Sequence, residues 1–300
     1  MAEPLHVITG ATGHVGRIAA TRLLDAGRRV RVVGRDGGRL APLRNRGAEV
    51  AVGSIDDAAF VREAFRGAST AFVMIPPNFA ARGFRAWQNR VAEAMAAAIE
   101  ANGVSRAVTL SSIGADRKDG NGPIGGLHDL ERRLDAVKGL AVLHLRPGYF
   151  MENHLASIGM IKAMGMNGSA LRPDLAFAQI ATADVGEVAA RRLLALDFQG
   201  REVLELQGPR DTTMAQATAA IGRAIGKPDL AYVHFSYEDG KKGLMGAGVP
   251  EEFADLYMEM SRGFNDGLVK PTQPRSAVTT TPTTVEAFAE KVFAPAFRGS

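Results

Sequence analysis

Short apolar runs alternate with longer stretches in which apolar residues recur every three or four positions. Leu5 to Ile8 is one such run, Thr9 to Gly16 is glycine-rich, and Arg17 to Ala26 has the spacing of an amphipathic helix. The same alternation predicts strands near 5–9, 29–34, 48–53, 69–75, 105–111 and 140–146 and helices near 14–26, 37–46, 57–66, 80–102 and 124–137. Asp25-Ala26-Gly27 and Asn102-Gly103 supply the glycines that end helices. Strands and helices that alternate with some regularity imply a parallel sheet covered on both faces. Right-handed crossovers then gather the carboxyl ends of the strands on one edge, where a ligand crevice forms.

The first turn narrows the class of ligand. Thr9 to Gly16 reads T-G-A-T-G-H-V-G, which places Gly10, Gly13 and Gly16 three apart between a strand and a helix. Gly10 lets the chain turn sharply, Gly13 lets backbone N–H groups approach a pyrophosphate, and Gly16 allows close helix–strand packing. Phosphate sits at the positive end of the helix dipole. The expected fold is therefore an α/β, doubly wound parallel Rossmann sheet with a smaller, mostly helical C-terminal lobe. Its parts are a dinucleotide-binding core over 1–150, a substrate-pocket segment over 151–183, a returning helix and strand over 184–206, and a substrate or regulatory lobe over 207–300. Asp184 to Leu196 and Val203 to Leu206 supply the returning elements.

Composition removes several classes of chemistry. The chain has 300 residues, 46% of them hydrophobic, and no cysteine, so disulfides, thiolate catalysis and cysteine-ligated zinc are excluded. The six histidines show no metal-ligand spacing, and no metal is expected. A net charge of +4 comes from scattered arginines without a dense basic tract, so no nucleic-acid partner is expected. No apolar run approaches the roughly 18 residues of a membrane span, and the opening M-A-E-P-L-H-V lacks a secretory layout. A cytoplasmic location and a small-molecule substrate are expected; the sequence leaves the oligomeric state open.

The end of the second strand bears on cofactor choice. Val32-Val33-Gly34-Arg35 offers no acid and a guanidinium where an NAD site usually has an acid on the ribose hydroxyls. Arg35, with Arg39 one turn on, is placed to hold a 2′-phosphate, so NADP(H) is preferred over NAD(H). Alternatively, Arg35 is a surface arginine at a helix start. Asp36 is better placed to cap that helix than to reach a ribose.

Five motifs in order, T-G-A-T-G-H-V-G, V-G-R-D at 33–36, G-S-I-D-D at 53–57, L-S-S-I-G-A-D at 110–116 and L-R-P-G-Y-F-M-E-N at 145–153, resemble the NmrA-like branch of the atypical short-chain dehydrogenase/reductase superfamily. The resemblance spans about the first 200 residues. It implies that Gly10, Thr12, Gly13, His14, Val15 and Gly16 line the pyrophosphate and that Arg35 meets the 2′-phosphate. Ser54 and Ile55 would border the adenine, with Ser54 standing where the family commonly has aspartate. Ile75, Pro76 and Pro77 would pass beneath the inner ribose and nicotinamide, and Ser111 would lie beside them. Pro147, Gly148, Tyr149 and Phe150 would frame the nicotinamide and the mouth of the substrate site. Pro76-Pro77 and Arg146-Pro147-Gly148 also serve, more simply, as strand stops.

Carbonyl-reducing members of the superfamily use a Tyr-x-x-x-Lys pair, because hydride arriving at a carbonyl needs a proton donor of lowered pKa. Counting back from Glu131 puts Ile124 near the tyrosine position and His128 near the lysine position, so the usual relay is missing. The literal match Tyr237-Glu-Asp-Gly-Lys241 lies far from the serine strand and is read as coincidence. His128 and Tyr149 are the remaining candidate catalytic residues; His128 reads equally well as a helix histidine without a role.

Two functional classes fit. One is an NADPH-dependent oxidoreductase passing hydride to a small conjugated acceptor of quinone, azo, enone or iminium type, which needs little acid help. Phe79, Ser112, His128, Met151, Asn153, Met160 and Met164 would then line the substrate pocket. The other is a non-catalytic NADP(H)-binding redox sensor acting through a protein partner. Its partner surface would be the stripe Phe253, Leu256, Tyr257, Met258 and Met260, unless that stripe packs over the crevice.

Overall fold

A computed structural model describes residues 3–300. Strands β1 (Leu5–Ile8), β2 (Arg29–Gly34), β3 (Glu49–Val52), β4 (Ala68–Val73), β5 (Arg106–Leu110) and β6 (Ala141–Pro147) join the strand Arg201–Leu206 in one sheet. From one edge the order is Arg201–Leu206, β6, β5, β4, β1, β2, β3, and every pairing is parallel. The chain winds outward from β1 through β3, then returns to the other side of β1 as β4. That reversal opens a crevice at the carboxyl ends of β1 and β4.

Helices α1 (His14–Asp25), α2 (Gly37–Arg44), α3 (Ala58–Ala64), α4 (Phe84–Ala101) and α5 (Gly125–Asp135) make the crossovers. Asp36 and Asp57 cap α2 and α3, each carboxylate accepting two backbone N–H bonds. The helix expected over 80–102 begins only at Phe84: Gly83 has a φ of 64°, and residues 74–83 form an irregular segment that carries Pro76 and Pro77.

Alternating side chains send the strands into two apolar layers. Val7, Ala71 and Val142 face Phe65, Met95 and Leu134 on the side of α3, α4 and α5. Ile8, Phe72 and Leu143 face Leu23, Val185 and Leu193, contributed by α1 and the helix Thr182–Ala195. Burial on both faces explains why these strands read as near-continuous apolar runs. Those two helices lie close together because a Cβ on Gly186 would come within 2.7 Å of the Ile18 Cβ.

The rest of the chain builds on the carboxyl edge of the sheet. Strands Tyr149–Phe150, Phe177–Ile180 and Asp211–Thr212 form a small sheet, and Met166–Ser169 pairs with Ala231–His234. The helices Met214–Ala224, Tyr237–Gly246 and Glu251–Asn265 complete the lobe. Helix predominates there as expected, but strands as short as two residues carry too little periodicity to be read from sequence.

The edge strand Arg201–Leu206 does not face solvent bare. The buried Glu205 carboxylate accepts bonds from Thr272 N, Thr272 Oγ1 and Gln273 N at 2.7–2.8 Å. Gln273 in turn bonds the backbone of Val203 and Glu205, and Gln207 bridges to Thr280. Residues 272–281 thereby satisfy backbone groups an open edge would expose. Among the described residues, no helix is long and apolar enough to cross a membrane.

Candidate functional site

At the end of β1 the buried Thr9 locks two strands together. Its N–H and hydroxyl both donate to Phe72 O at 3.0 Å, and its hydroxyl accepts from Met74 N at 3.0 Å. The three glycines that follow have different surroundings. Gly10 sits at φ 63°, and a Cβ there would fall 1.9 Å from Met74 Sδ; at Gly16 it would fall 2.5 Å from Gly10 O. At Gly13, which is exposed, the nearest atom would be the Gly10 carbonyl oxygen, 3.3 Å away. Gly10 and Gly16 are thus required by packing, whereas Gly13 keeps open the surface above the first turn of α1.

That turn has no side-chain cap. Its first backbone bond is Arg17 N to Gly13 O at 3.1 Å, which leaves the N–H groups of His14, Val15 and Gly16 without an acceptor among the described residues. Thr12 lies beside them, and Arg39 donates through Nη2 to its carbonyl at 3.5 Å. Arg35 is exposed at the end of β2 and forms no salt bridge among the described residues. Asp36 is occupied as the cap of α2. The bare N-terminus of α1, with the Arg39 guanidinium beside it, leaves backbone donors and positive charge facing solvent. Farther out, Ser54 donates to Asp56 Oδ1 at 2.5 Å, which holds the Asp56 carboxyl below its ordinary range, while Ile55 is buried among the core side chains of the α3 and α4 layer.

A cavity of about 330 Å³ opens where Met74 leaves β4. Ile75, Pro76, Pro77 and Phe79 line it after β4, Ser111 and Ser112 after β5, and Pro147 at the end of β6 with Gly148, Tyr149, Phe150 and Asn153 beyond it. The far wall comes from Ile124 and Leu127 and from Phe253, Met260 and Phe264 of the helix Glu251–Asn265. Phe253 packs on Phe79 and Phe84 with ring centroids 4.6 and 4.9 Å apart. Glu252 fastens that helix down, its carboxylate accepting from Gly83 N at 2.9 Å and Phe84 N at 2.8 Å. The apolar stripe offered by the sequence as a partner surface therefore closes the cavity: Phe253 and Met260 line it, and Met258 is buried.

Tyr149 is buried, its ring centroid 5.5 Å from Phe177 and 6.3 Å from Phe264. Burial first, then Tyr257 beside it, pushes its phenol well above the ordinary tyrosine range, against a smaller pull from Asn153. The hydroxyl stays protonated at neutral pH.

Behind Ser111 lies a buried charge pair that the sequence reading missed. Arg146 grips Glu131 in a fork, Nε to Oε1 at 2.9 Å and Nη2 to Oε2 at 2.5 Å, and Ser111 donates to Glu131 Oε1 at 2.5 Å. Burial lowers and Glu131 raises the Arg146 pKa, with the net shift upward. Arg146 stood inside a quoted motif and Glu131 served only as a counting mark; their separation by 15 positions, across a helix and a strand, gave no local signal that they meet.

Other candidate residues lie apart. His128 does not line the cavity; its Nδ1 stands 2.8 Å from Ala115 O and ties α5 to the loop after β5. Met151, at 1% exposure, belongs to the core of the C-terminal lobe with Ile161 and Ile221, because its segment turns away from the mouth. Met160 and Met164 sit on the helix Ile158–Met164 outside the cavity, Met164 at 63% exposure. Tyr237 and Lys241 are also remote, with Lys241 paired to Glu251 and Asp255 at 2.9 and 2.7 Å.

A doubly wound parallel sheet with a glycine turn at the switch point and an apolar cavity beside it defines a Rossmann-type protein. The model of the NmrA-like family matches residues 5–289, and the chain belongs to this family. A (4-alkanoyl-5-oxo-2,5-dihydrofuran-3-yl)methyl phosphate reductase from Streptomyces griseus is 31% identical over 257 residues, 84% of each chain. An NAD(P)H azoreductase from Xenophilus azovorans is 27% identical over 258 residues, 85% of each. Among solved structures, an NADPH-dependent quinone oxidoreductase from Escherichia coli complexed with NADPH superposes with a TM-score of 0.81 at 23% identity, over 96% of this chain and 99% of that one.

Proposed function

We propose that the protein is an NADPH-dependent oxidoreductase that reduces a small conjugated acceptor of quinone, azo, enone or iminium type without a tyrosine–lysine relay. One observation carries the reading: the cavity next to the glycine turn has apolar walls, Ile124 among them, and no lysine among the described residues lines it. The names of the relatives, two of them reductases and one an NADPH-dependent quinone oxidoreductase, support the same class.

The residues fit a dinucleotide. The exposed backbone at Gly13, the unpaired N–H groups of His14, Val15 and Gly16, and the guanidinium groups of Arg35 and Arg39 suit a pyrophosphate and a 2′-phosphate. When bound, NADPH supplies the hydride. Ile75 to Pro77 and Pro147 to Phe150 hold the ring's surroundings dry, and Phe253 and Phe79 position a flat acceptor. Tyr149 keeps its proton and donates a hydrogen bond to the acceptor atom that gains charge. A quinone or azo group delocalises that charge, so its proton can come from solvent.

NADPH oxidation followed by absorbance against a panel of quinones, azo dyes and conjugated carbonyls tests this, beside titrations of NADPH, NADP⁺ and NADH. Turnover that disappears in Gly13→Val supports the reductase. Tight NADPH binding with no turnover on any acceptor overturns it in favour of a redox sensor.

A further inference from the structure

A second cavity, of about 380 Å³, lies against the first, and Ile113, Gly148 and Phe264 line both. The reaction proposed above uses only the first. Leu175, Phe177 and Val269 make the second cavity's inner wall apolar, while Asp211 and Lys270 bring charge to it. Asp211 is already neutralised, by Arg275 Nη2 at 2.6 Å. The Lys270 ammonium has no carboxylate in salt-bridge distance among the described residues. Lys270 is exposed, and the backbone at its base is fixed, because Leu268 N and Val269 N both donate to Gly263 O, at 2.8 and 2.9 Å, and so close the turn that carries it. An apolar channel ending at one uncompensated cation matches an aliphatic tail with an anionic end.

We infer that the two cavities form one bipartite acceptor site. The inner cavity takes the conjugated head, and the outer takes a tail of several carbons whose terminal carboxylate or phosphate monoester pairs with Lys270. The division of labour rests on the reductase reading; the binding of the anionic tail has its own readout. Lys270 is exposed, so the pair forms at the solvent-facing end of the cavity and weakens as salt is added.

The probes are 2-methyl-1,4-naphthoquinone and the same ring carrying a hexyl chain, a six-carbon chain ending in carboxylate, or one ending in phosphate. Dissociation constants are measured by calorimetry with NADP⁺ present, so that no turnover occurs, and turnover is measured separately with NADPH. Wild type is expected to bind the anionic probes about tenfold more tightly than the hexyl probe. Lys270→Ala should erase that difference, Lys270→Glu should reverse it, and neither should change binding of the methyl quinone. Ala176→Trp, which fills the outer cavity from an exposed position, should weaken all three tailed probes and spare the methyl quinone. A larger gain for phosphate than for carboxylate identifies a phosphate ester as the preferred end. An anionic preference that survives in Lys270→Ala, or its absence in wild type, overturns the inference. Binding preference without turnover leaves the bipartite site standing and removes the reductase reading.

Discussion

At the scale of single residues, the three glycines of the first turn separate packing from ligand binding. A Cβ at Gly10 or Gly16 collides with Met74 or with backbone, whereas one at Gly13 meets nothing closer than 3.3 Å. Gly13→Val is expected to lose NADPH binding in a fluorescence titration, since the branched side chain fills the phosphate's approach, and to lower the denaturant midpoint less than Gly16→Val, whose Cβ would fall 2.5 Å from the Gly10 carbonyl oxygen. Arg35→Ala is expected to weaken NADPH by about 1.5–3 kcal/mol and NADH hardly at all, read from paired titrations. Equal losses for the two cofactors would remove Arg35 from the 2′-phosphate. Glu131→Gln leaves the half-buried Arg146 guanidinium without its bidentate carboxylate. Urea unfolding should show a loss of about 3–5 kcal/mol, as for other buried pairs stripped of one partner.

Elements show what the sequence can and cannot say. β2 runs over Arg29–Gly34, as its apolar pattern indicates, and the other strands of the first half end within two residues of expectation, because each is a buried run flanked by turns. Helix α4 starts late because a glycine in a left-handed conformation, rather than hydrophobic periodicity, sets its first turn. The chain's motifs brought Ile75, Ser111, Pro147 and Tyr149 to one cavity, since all follow strands whose carboxyl ends share an edge. Met151 and Met164 failed as cavity residues because the direction of an irregular segment is set by tertiary packing and leaves no period in the sequence. The helix that closes the cavity is tethered by Glu252, whose partners are 168 and 169 positions away. Glu252→Ala should free that helix. Hydrogen exchange at Gly83 and Phe84 is expected to speed up and the KM for a quinone acceptor to rise severalfold, while NADPH affinity holds.

For the whole molecule, buried histidines make stability depend on pH. His6, hydrogen-bonded to Thr70 at 2.5 Å inside the sheet, has its pKa lowered to about 4 by burial and then by Arg28. The unfolded chain binds a proton there near the ordinary value of 6.5, so between pH 6.5 and about 4 acid favours unfolding. Burial shifts His154 in the same direction. Unfolding free energy is expected to fall as pH drops through that window, by up to about 3 kcal/mol for His6. His6→Gln should flatten the curve, and an unchanged slope would show that other groups govern it.

The covered edge of the sheet has a consequence for biosynthesis. Glu205 and its partner Gln273 are 68 residues apart, so the last sheet strand leaves the ribosome well before the segment that shields it. At ordinary synthesis rates that interval lasts roughly 3 to 14 s. During it the strand Arg201–Leu206 offers unpaired backbone groups to any neighbouring nascent chain, and a ribosome that stops near residue 210 releases a product whose exposed edge invites aggregation.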